Sequence, residues 1–481
     1  MSDAAVSPIV PEPPKTVSPP EPTFWALVRE SLAGSRRDLT AETLSRAILL
    51  LAVPMVLEMI MESIFAISDM FWVAKLGPDA VTVVAMTETM MTIVYTTAMG
   101  LAMGTGAVIA RRTGSKDVDG AGRGAVQAII LGVSVAAIMG AAGVILGPRL
   151  LSAMGGSPAV IAMGGVFPRV MIGGSATVLL LFVINAAFRG AGDASITMRT
   201  LWLANAINIV LGPCFIFGWG PFPRLGVTGA AVATTIGRGV GVLYQLRALA
   251  TARGRLRVAR AHLRVDGETL RTILRLSRSG AVQMFVGMAS WIVLMKLVAP
   301  FGSSVVAGYG IAFRVVMFAL LPSWGLGNAA ATLVGQNLGA GKPDRGEQAV
   351  WRAAFYNFVF LGCVGLLFVI FASDIVRLFS PVPEVVAAGG RCLRIVSAGF
   401  LFYAYGMVVT QAFNGAGDTR TPMRINLVCF WLWEIPLAYV LSRPVGLGPT
   451  GIFLAIASAF SLVAIMGVTL FRRGRWKSVQ V

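Results

Sequence analysis

Charge is scarce in this chain. Only 13% of its 481 residues are Asp, Glu, Lys or Arg, while 56% are hydrophobic. A soluble protein carries about a quarter charged residues, so an ordinary soluble domain is excluded. Histidine is scarcer still. The single one, His262, lies in a basic stretch, which excludes a histidine-built metal or catalytic centre. The four cysteines (Cys214, Cys363, Cys392, Cys429) show no CxxC spacing and stand in apolar surroundings. They read as packing residues rather than disulfides or metal ligands. No usable phosphate loop is present. In GQNLGAGKP (335–343) the glycine spacing is wrong, and Pro343 follows the lysine where Ser or Thr is required. GLGNAA (325–330) mimics a dinucleotide fingerprint, but no strand precedes it. ATP-driven work is therefore excluded, no cofactor is expected, and any energy must come from an ion gradient. No serine, cysteine or histidine constellation supports an enzyme, and nothing resembles a channel's selectivity filter.

What the chain has instead is long apolar runs, such as 47–75 and 355–372. A hydrocarbon layer of ~30 Å takes about 20 helical residues, and continuous rather than alternating apolarity argues for helices over a barrel. Twelve spans are expected, near 46–75, 79–110, 125–147, 160–187, 195–219, 226–250, 272–300, 304–335, 349–372, 386–413, 421–442 and 449–471. The fold class is an all-α polytopic membrane protein. The net charge of +18 is better assigned to loops than to nucleic acid. Basic residues gather in alternate loops: Arg111, Arg112, Lys116 and Arg123 in the second, a run of arginines from Arg247 to Arg278 in the sixth, Lys342, Arg345 and Arg352 in the eighth, and Arg472 to Lys477 in the tail. That pattern places both termini in the cytoplasm. The chain is expected in the cell (inner) membrane of a bacterium, with lipids as neighbours, and as a monomer. At the start, SPIVPEPPKTVSPPEP (7–22) reads as disordered. FWALVRESLAGSRR (24–37) reads as a short interfacial helix with Arg29, Arg36 and Arg37 toward phosphates, or as a plain tail.

The chain repeats itself. AFRGAGD (187–193) returns as AFNGAGD (412–418), 225 positions later. VIARRTG (108–114) meets LVGQNLG (333–339) at the same offset, and LGVTGAAVA (225–233) meets LGPTGIFLA (447–455). Six spans per half preserve orientation, so the halves are parallel repeats about an axis along the membrane normal. The expected organisation is a tail with the interfacial helix (1–45), an N-terminal six-helix lobe (46–250), a basic cytoplasmic linker (251–271), a C-terminal six-helix lobe (272–472) and a basic tail (473–481). A central cavity is expected between the lobes. The glycines of the repeated phrase suit tight turns or close helix approach, and Asp193 and Asp418 are placed to cap the following helices.

Ionisable groups at membrane depth are costly and usually functional. The first span carries Glu58, Glu62 and Asp69, whose spacings of four and seven put them on one stripe, and the second span adds Glu88. Their repeat mates are Gln283, Gly287, Leu294 and Phe313, so the acids belong to the first half alone. The second half offers Glu434 and the bases Lys296 and Arg314. Two readings stay open: the acids pair with bases and hold helices together, or they line a cavity and exchange protons or cations. The 22 methionines, five of them on the second span, suit an adaptable pocket or ordinary packing.

With the duplicated halves, SDMFWVAKLG (68–77), FRGAGD (188–193), FNGAGDTRTPM (413–423) and LGVTGAAVAT (225–234), the chain resembles the multidrug and toxin extrusion (MATE) family over about residues 45–470. The resemblance implies a V-shaped pair of bundles and alternating access driven by a proton or sodium gradient. It also implies export of bulky, amphipathic, mostly cationic small molecules. Carried over by position, the family's first-half cation site falls on Asp69, Asn208 and Thr234. A further aspartate of some members falls on Gly212 here. Acids that other members place on the seventh and tenth helices have no counterpart in 272–300 or 386–413. Sodium chelation is thereby weakened, and coupling to protons through Asp69, with Glu62 and Glu58 beside it, is the expectation. A lipid-linked oligosaccharide flippase of the same superfamily is the alternative, and a membrane-embedded enzyme a weaker one.

Overall fold

The computed structural model describes residues 23–481 apart from 36, 252 and 253. The proline-rich stretch 7–22 and Arg36 lie outside the described residues. Among those described there is helix and no strand, as the lipid solvent demands: a helix satisfies its backbone N–H and C=O groups within one segment.

The first half runs through α1 (Phe24–Ala33), α2 (Leu44–Ala74), α3 (Pro78–Gly114), α4 (Val118–Ala153), α5 (Pro158–Gly164), α6 (Phe167–Gly173), α7 (Ser175–Ala191), α8 (Ala194–Phe217) and α9 (Val227–Ala250). The second half runs through α10 (Gly267–Val298), α11 (Ser303–Gly339), α12 (Pro343–Arg377), α13 (Pro383–Ala398), α14 (Phe400–Ala416), α15 (Arg420–Asn426), a π-helical segment (Leu427–Glu434), α16 (Ile435–Ser442) and α17 (Pro449–Arg472). Helix starts follow local chemistry. Asp117 caps α4 by accepting the Gly120 N–H at 2.7 Å. Asp266 caps α10 through the Glu268 and Thr269 N–H groups. The Thr269 hydroxyl and these amides hold the Asp266 carboxyl below its ordinary range.

Ten of these helical stretches are long and apolar enough to cross a membrane, and the pair α13–α14, bent by 57°, makes an eleventh. The remaining expected span is α9. It has 24 residues, but its glycines, threonines and Arg238 leave it less apolar than the others. Two spans expected to be continuous are broken. The 160–187 span divides after Gly164 and again at Gly174, and the 386–413 span at Gly399; Gly174 and Gly399 stand 225 residues apart. Gly399 lies against α17, where a Cβ would come within 3.2 Å of the Ala457 Cα.

The repeated phrase closes α7 and α14 in the same way. Gly192 and Gly417 both take φ = +89°, a left-handed conformation that favours glycine. The N–H groups of Asp193 and Asp418 then donate to the carbonyls of Phe188 (2.8 Å) and Phe413 (2.9 Å). Asp418 also accepts the Thr421 N–H at 3.1 Å. Asp193 departs from its expected role: its side chain makes no cap bond to α8 and instead accepts the backbone N–H of Arg255 at 2.5 Å. It ties the linker to the first half rather than starting a helix.

The halves meet along α2–α11 and α3–α10, with α3 also against α11 and α14. Their close approaches use glycine. A Cβ on Gly100 would fall 2.5 Å from the Ala281 amide, one on Gly325 2.9 Å from that of Val56, and Gly114 and Gly339 leave no room against Gln336 and Arg111. All of these lie toward the end of the bundle that carries the basic loops. Polar contacts lace the same end. Gln336 Nε2 donates to the Gly190 carbonyl (2.9 Å), Arg111 to the carbonyls of Ala416 (3.3 Å) and Val479 (2.5 Å), and Lys342 to that of Thr40 (3.0 Å). Arg345 donates to the Glu42 carbonyl. Lys477 Nζ pairs with Asp344 (2.8 Å) and Glu347 (2.6 Å), which hold its ammonium above the ordinary range.

Candidate functional site

A cavity of about 360 Å³ lies between the halves. Its first-half wall carries Glu58, Glu62, Tyr95, Asn185, Arg189 and Arg238. Its second-half wall carries Met284, Met288, Trp324, Asn328, Gln411 and Asn414. Met99, Met103 and Phe182 add flexible and aromatic surface. Thioethers and rings thus surround a few charged groups in this pocket.

The acidic stripe of α2 faces the interior of the first half, and each acid meets a different neighbour. Glu58 is buried (1% exposed); it stands 3.4 Å from Arg189 Nη1 on α7 and accepts the Thr197 hydroxyl of α8 at 2.8 Å. One turn on, Glu62 accepts the Asn205 amide of α8 at 3.0 Å. Asp69 is half-buried and has no hydrogen-bond or ion-pair partner among the described residues. The charges it feels are those of Glu88 on α3 and Arg238 on α9. Glu88 is exposed and is influenced by Arg314, also exposed, on α11 of the other half. Asn208 and Thr234 are joined by a 2.7 Å hydrogen bond between α8 and α9. Beside them Gly212 leaves open space: a Cβ there would meet only Asn208 Oδ1, at 3.9 Å.

The geometry thus gathers Glu58 and Glu62 at the cavity wall, with Asp69 linked to that group through Arg238. It keeps Asn208–Thr234 as a separate buried pair. Lys296 is exposed near the end of α10, where its stem can snorkel. Glu434 sits apart in the second-half core, 1% exposed, with Oε2 unpartnered and Tyr309, Tyr403 and Cys429 within reach of its charge. Two groups not anticipated from sequence are Arg189 and Arg238. Arg238 is 8% exposed, donates to the Tyr95 hydroxyl at 3.1 Å, and stands among the fields of Glu62 and Asp69. Its signal was available: it is the one charged residue between Val227 and Leu246. Arg189 was visible only as a member of the repeated phrase, whose second copy has Asn414 there.

Comparisons with known proteins agree with this architecture. The MatE family model matches residues 54–214 and again 280–440, one copy per half. The "Probable multidrug resistance protein YoeA" of Bacillus subtilis is 27% identical, over 91% of this chain and 95% of its own length. An "FAD transporter" of Shewanella oneidensis is 25% identical over 91% and 96%. Among solved structures, a MATE transporter in complex with MaL6 superposes with a TM-score of 0.86 at 25% identity, covering 91% of this chain and 97% of its own. A multidrug resistance MATE transporter in an outward-facing conformation gives 0.85 at the same identity and coverage. With two matched repeats, two helical halves and a shared cavity, this chain belongs to the MatE family of integral membrane transporters and is not an enzyme.

Proposed function

We propose that the chain exports amphipathic, mostly cationic compounds from the cytoplasm across the cell membrane, in exchange for protons. In this reading the lobes 46–250 and 272–472 rock about the cavity, and the basic linker 251–271 joins them on the cytoplasmic side. The observation that carries it is Asp69, a half-buried carboxyl at membrane depth with no bonding partner among the described residues. A carboxyl committed to an ion pair, as Glu58 is to Arg189, is a poor exchanger. One left unpaired is free to take and release a proton. Glu62 and Glu88 are its acidic neighbours, and Arg238 is the cation that links its charge state to the cavity wall. Sodium chelation is disfavoured because Gly212 withholds an oxygen ligand and the Thr234 hydroxyl oxygen already accepts the Asn208 amide. The close approaches at the basic-loop end support a state closed to the cytoplasm. Both termini lie on that side and the unit is a monomer.

The test is efflux of a fluorescent lipophilic cation from proteoliposomes under an imposed pH gradient. Asp69→Asn is expected to lose proton-driven transport while still binding the cation. Full transport by the variant removes Asp69 from the coupling role.

A second reading is favoured by Arg238, which lines the cavity and forms no salt bridge among the described residues. A substrate with a carboxylate or phosphate beside an aromatic body would pair with it. FAD competing with the cation for efflux would support that reading, and absence of competition would restrict the pocket to cations.

A further inference from the structure

A second cavity, about 330 Å³, lies outside the transport path at the basic-loop end. It is bounded by the turn after α1, the start of α8 and the end of α9, and its wall is largely polar: Ser35, Ser195, Arg199, Tyr244, Arg247 and Thr251. Three observations set it apart from a surface crevice.

Ser195 is 95% buried (5% exposed), lines the cavity and has no hydrogen-bond partner among the described residues. It also sits in the first turn of α8, a 24-residue helix whose N-cap, Asp193, makes no side-chain cap bond. The start of that helix thus receives no bond from its N-cap side chain, only the Asp193 carbonyl on the Ile196 N–H at 3.1 Å. Arg247 likewise lines the cavity without a partner among the described residues, and Arg199 spends one nitrogen on the Leu32 (2.7 Å) and Ala33 (3.0 Å) carbonyls of α1. The one acid in the wall, Asp193, is engaged by the Arg255 N–H.

Helix α1 forms one rim. It buries Leu27 and Ser31 against the bundle and leaves Phe24 (55% exposed) and Trp25 (76%) uncovered. Such rings suit the headgroup region of a bilayer. The cavity thus lies beside a helix built for the membrane surface, with two guanidinium groups, a free hydroxyl and a helix N-terminus around it.

We propose that this cavity holds the phosphate of an anionic phospholipid headgroup, in the leaflet on the side of the basic loops. Arg247 pairs with the phosphate, Ser195 donates to it, and Arg199 links the site to the carbonyls that end α1. Bound lipid fastens α1 to α8 and α9.

The experiment is native mass spectrometry of the full-length, detergent-purified protein with phosphatidylglycerol, phosphatidylcholine or inorganic phosphate. Arg247→Gln is the main variant because the Arg247 side chain has no other partner among the described residues. Ser195→Ala is the second, and Arg377→Gln, at the opposite end of the bundle, is the control. Wild type and the control are expected to retain phosphatidylglycerol over phosphatidylcholine, with about tenfold weaker retention in Arg247→Gln and a smaller loss in Ser195→Ala. Equal retention by wild type and Arg247→Gln, or equal retention of the two lipids, overturns the proposal. Displacement of the lipid by millimolar inorganic phosphate would assign the site to free phosphate and overturn the lipid assignment.

Discussion

At the scale of residues, neighbouring acids of one stripe are committed to different work. Glu58 is buried against Arg189 and Thr197, a pair whose desolvation cost is offset only while both partners stay. Glu58→Ala should therefore destabilise the protein by roughly 3–5 kcal/mol. The double variant Glu58→Ala/Arg189→Met should recover much of that loss, as read by thermal unfolding in detergent. Additive losses would mean that the two residues do not act as a pair. The four acids were legible in the sequence, because a carboxyl inside an apolar run stands out. Their separate roles were not. Pairing depends on which side chains of α7, α8 and α9 face α2, and one-dimensional spacing along α2 cannot supply that. Arg238 was lost for a related reason: counting arginines as loop markers hides one that sits in mid-helix.

At the scale of elements, the apolar runs placed each helix but shortened some at both ends, as 125–147 against Val118–Ala153 shows, and the repeat predicted matching turns at Gly192 and Gly417. Breaks inside spans were harder to read. Gly174 and Gly399 divide their helices, yet glycine is common in membrane helices and does not announce a break. The π-helical segment Leu427–Glu434 precedes Pro436, whose missing N–H removes one regular helical bond. The proline was visible, but the widened turn that holds Glu434 was not. Glycine packing carries its own prediction. A methyl on Gly415 would press into the Ala331 backbone of α11, whereas one on Gly310 meets nothing within 4 Å. Gly415→Ala should cost roughly 1–3 kcal/mol or lower the folded yield. Gly310→Ala should be neutral or stabilising by up to about 1 kcal/mol. Unfolding temperatures of the two variants check the contrast, and equal effects would contradict the packing described.

At the scale of the whole molecule, the glycine-mediated approaches between the two halves gather toward the basic-loop end, where a small set of donors from loops and tails joins them. Arg111 spans the closure, from α3 to the end of α14 and the C-terminal tail. Arg111→Gln should loosen it. Spin labels at Val118 and Arg420, on opposite halves of that end, should report a longer or broader distance distribution in the variant; an unchanged distribution would assign Arg111 no part in the closure. The two-lobe plan was legible because a duplicated sequence writes its symmetry into the chain. The closed end was not, since it depends on which loops meet across the axis.

The central claim is that a proton gradient, sensed at Asp69, drives export through the cavity. Its most direct test is flux of a fluorescent cation in proteoliposomes with the proton and sodium gradients imposed independently. Export under a pH gradient alone, none under a sodium gradient alone, and loss of the proton-driven component in Asp69→Asn is the predicted result. Export driven by sodium with no pH gradient would contradict it.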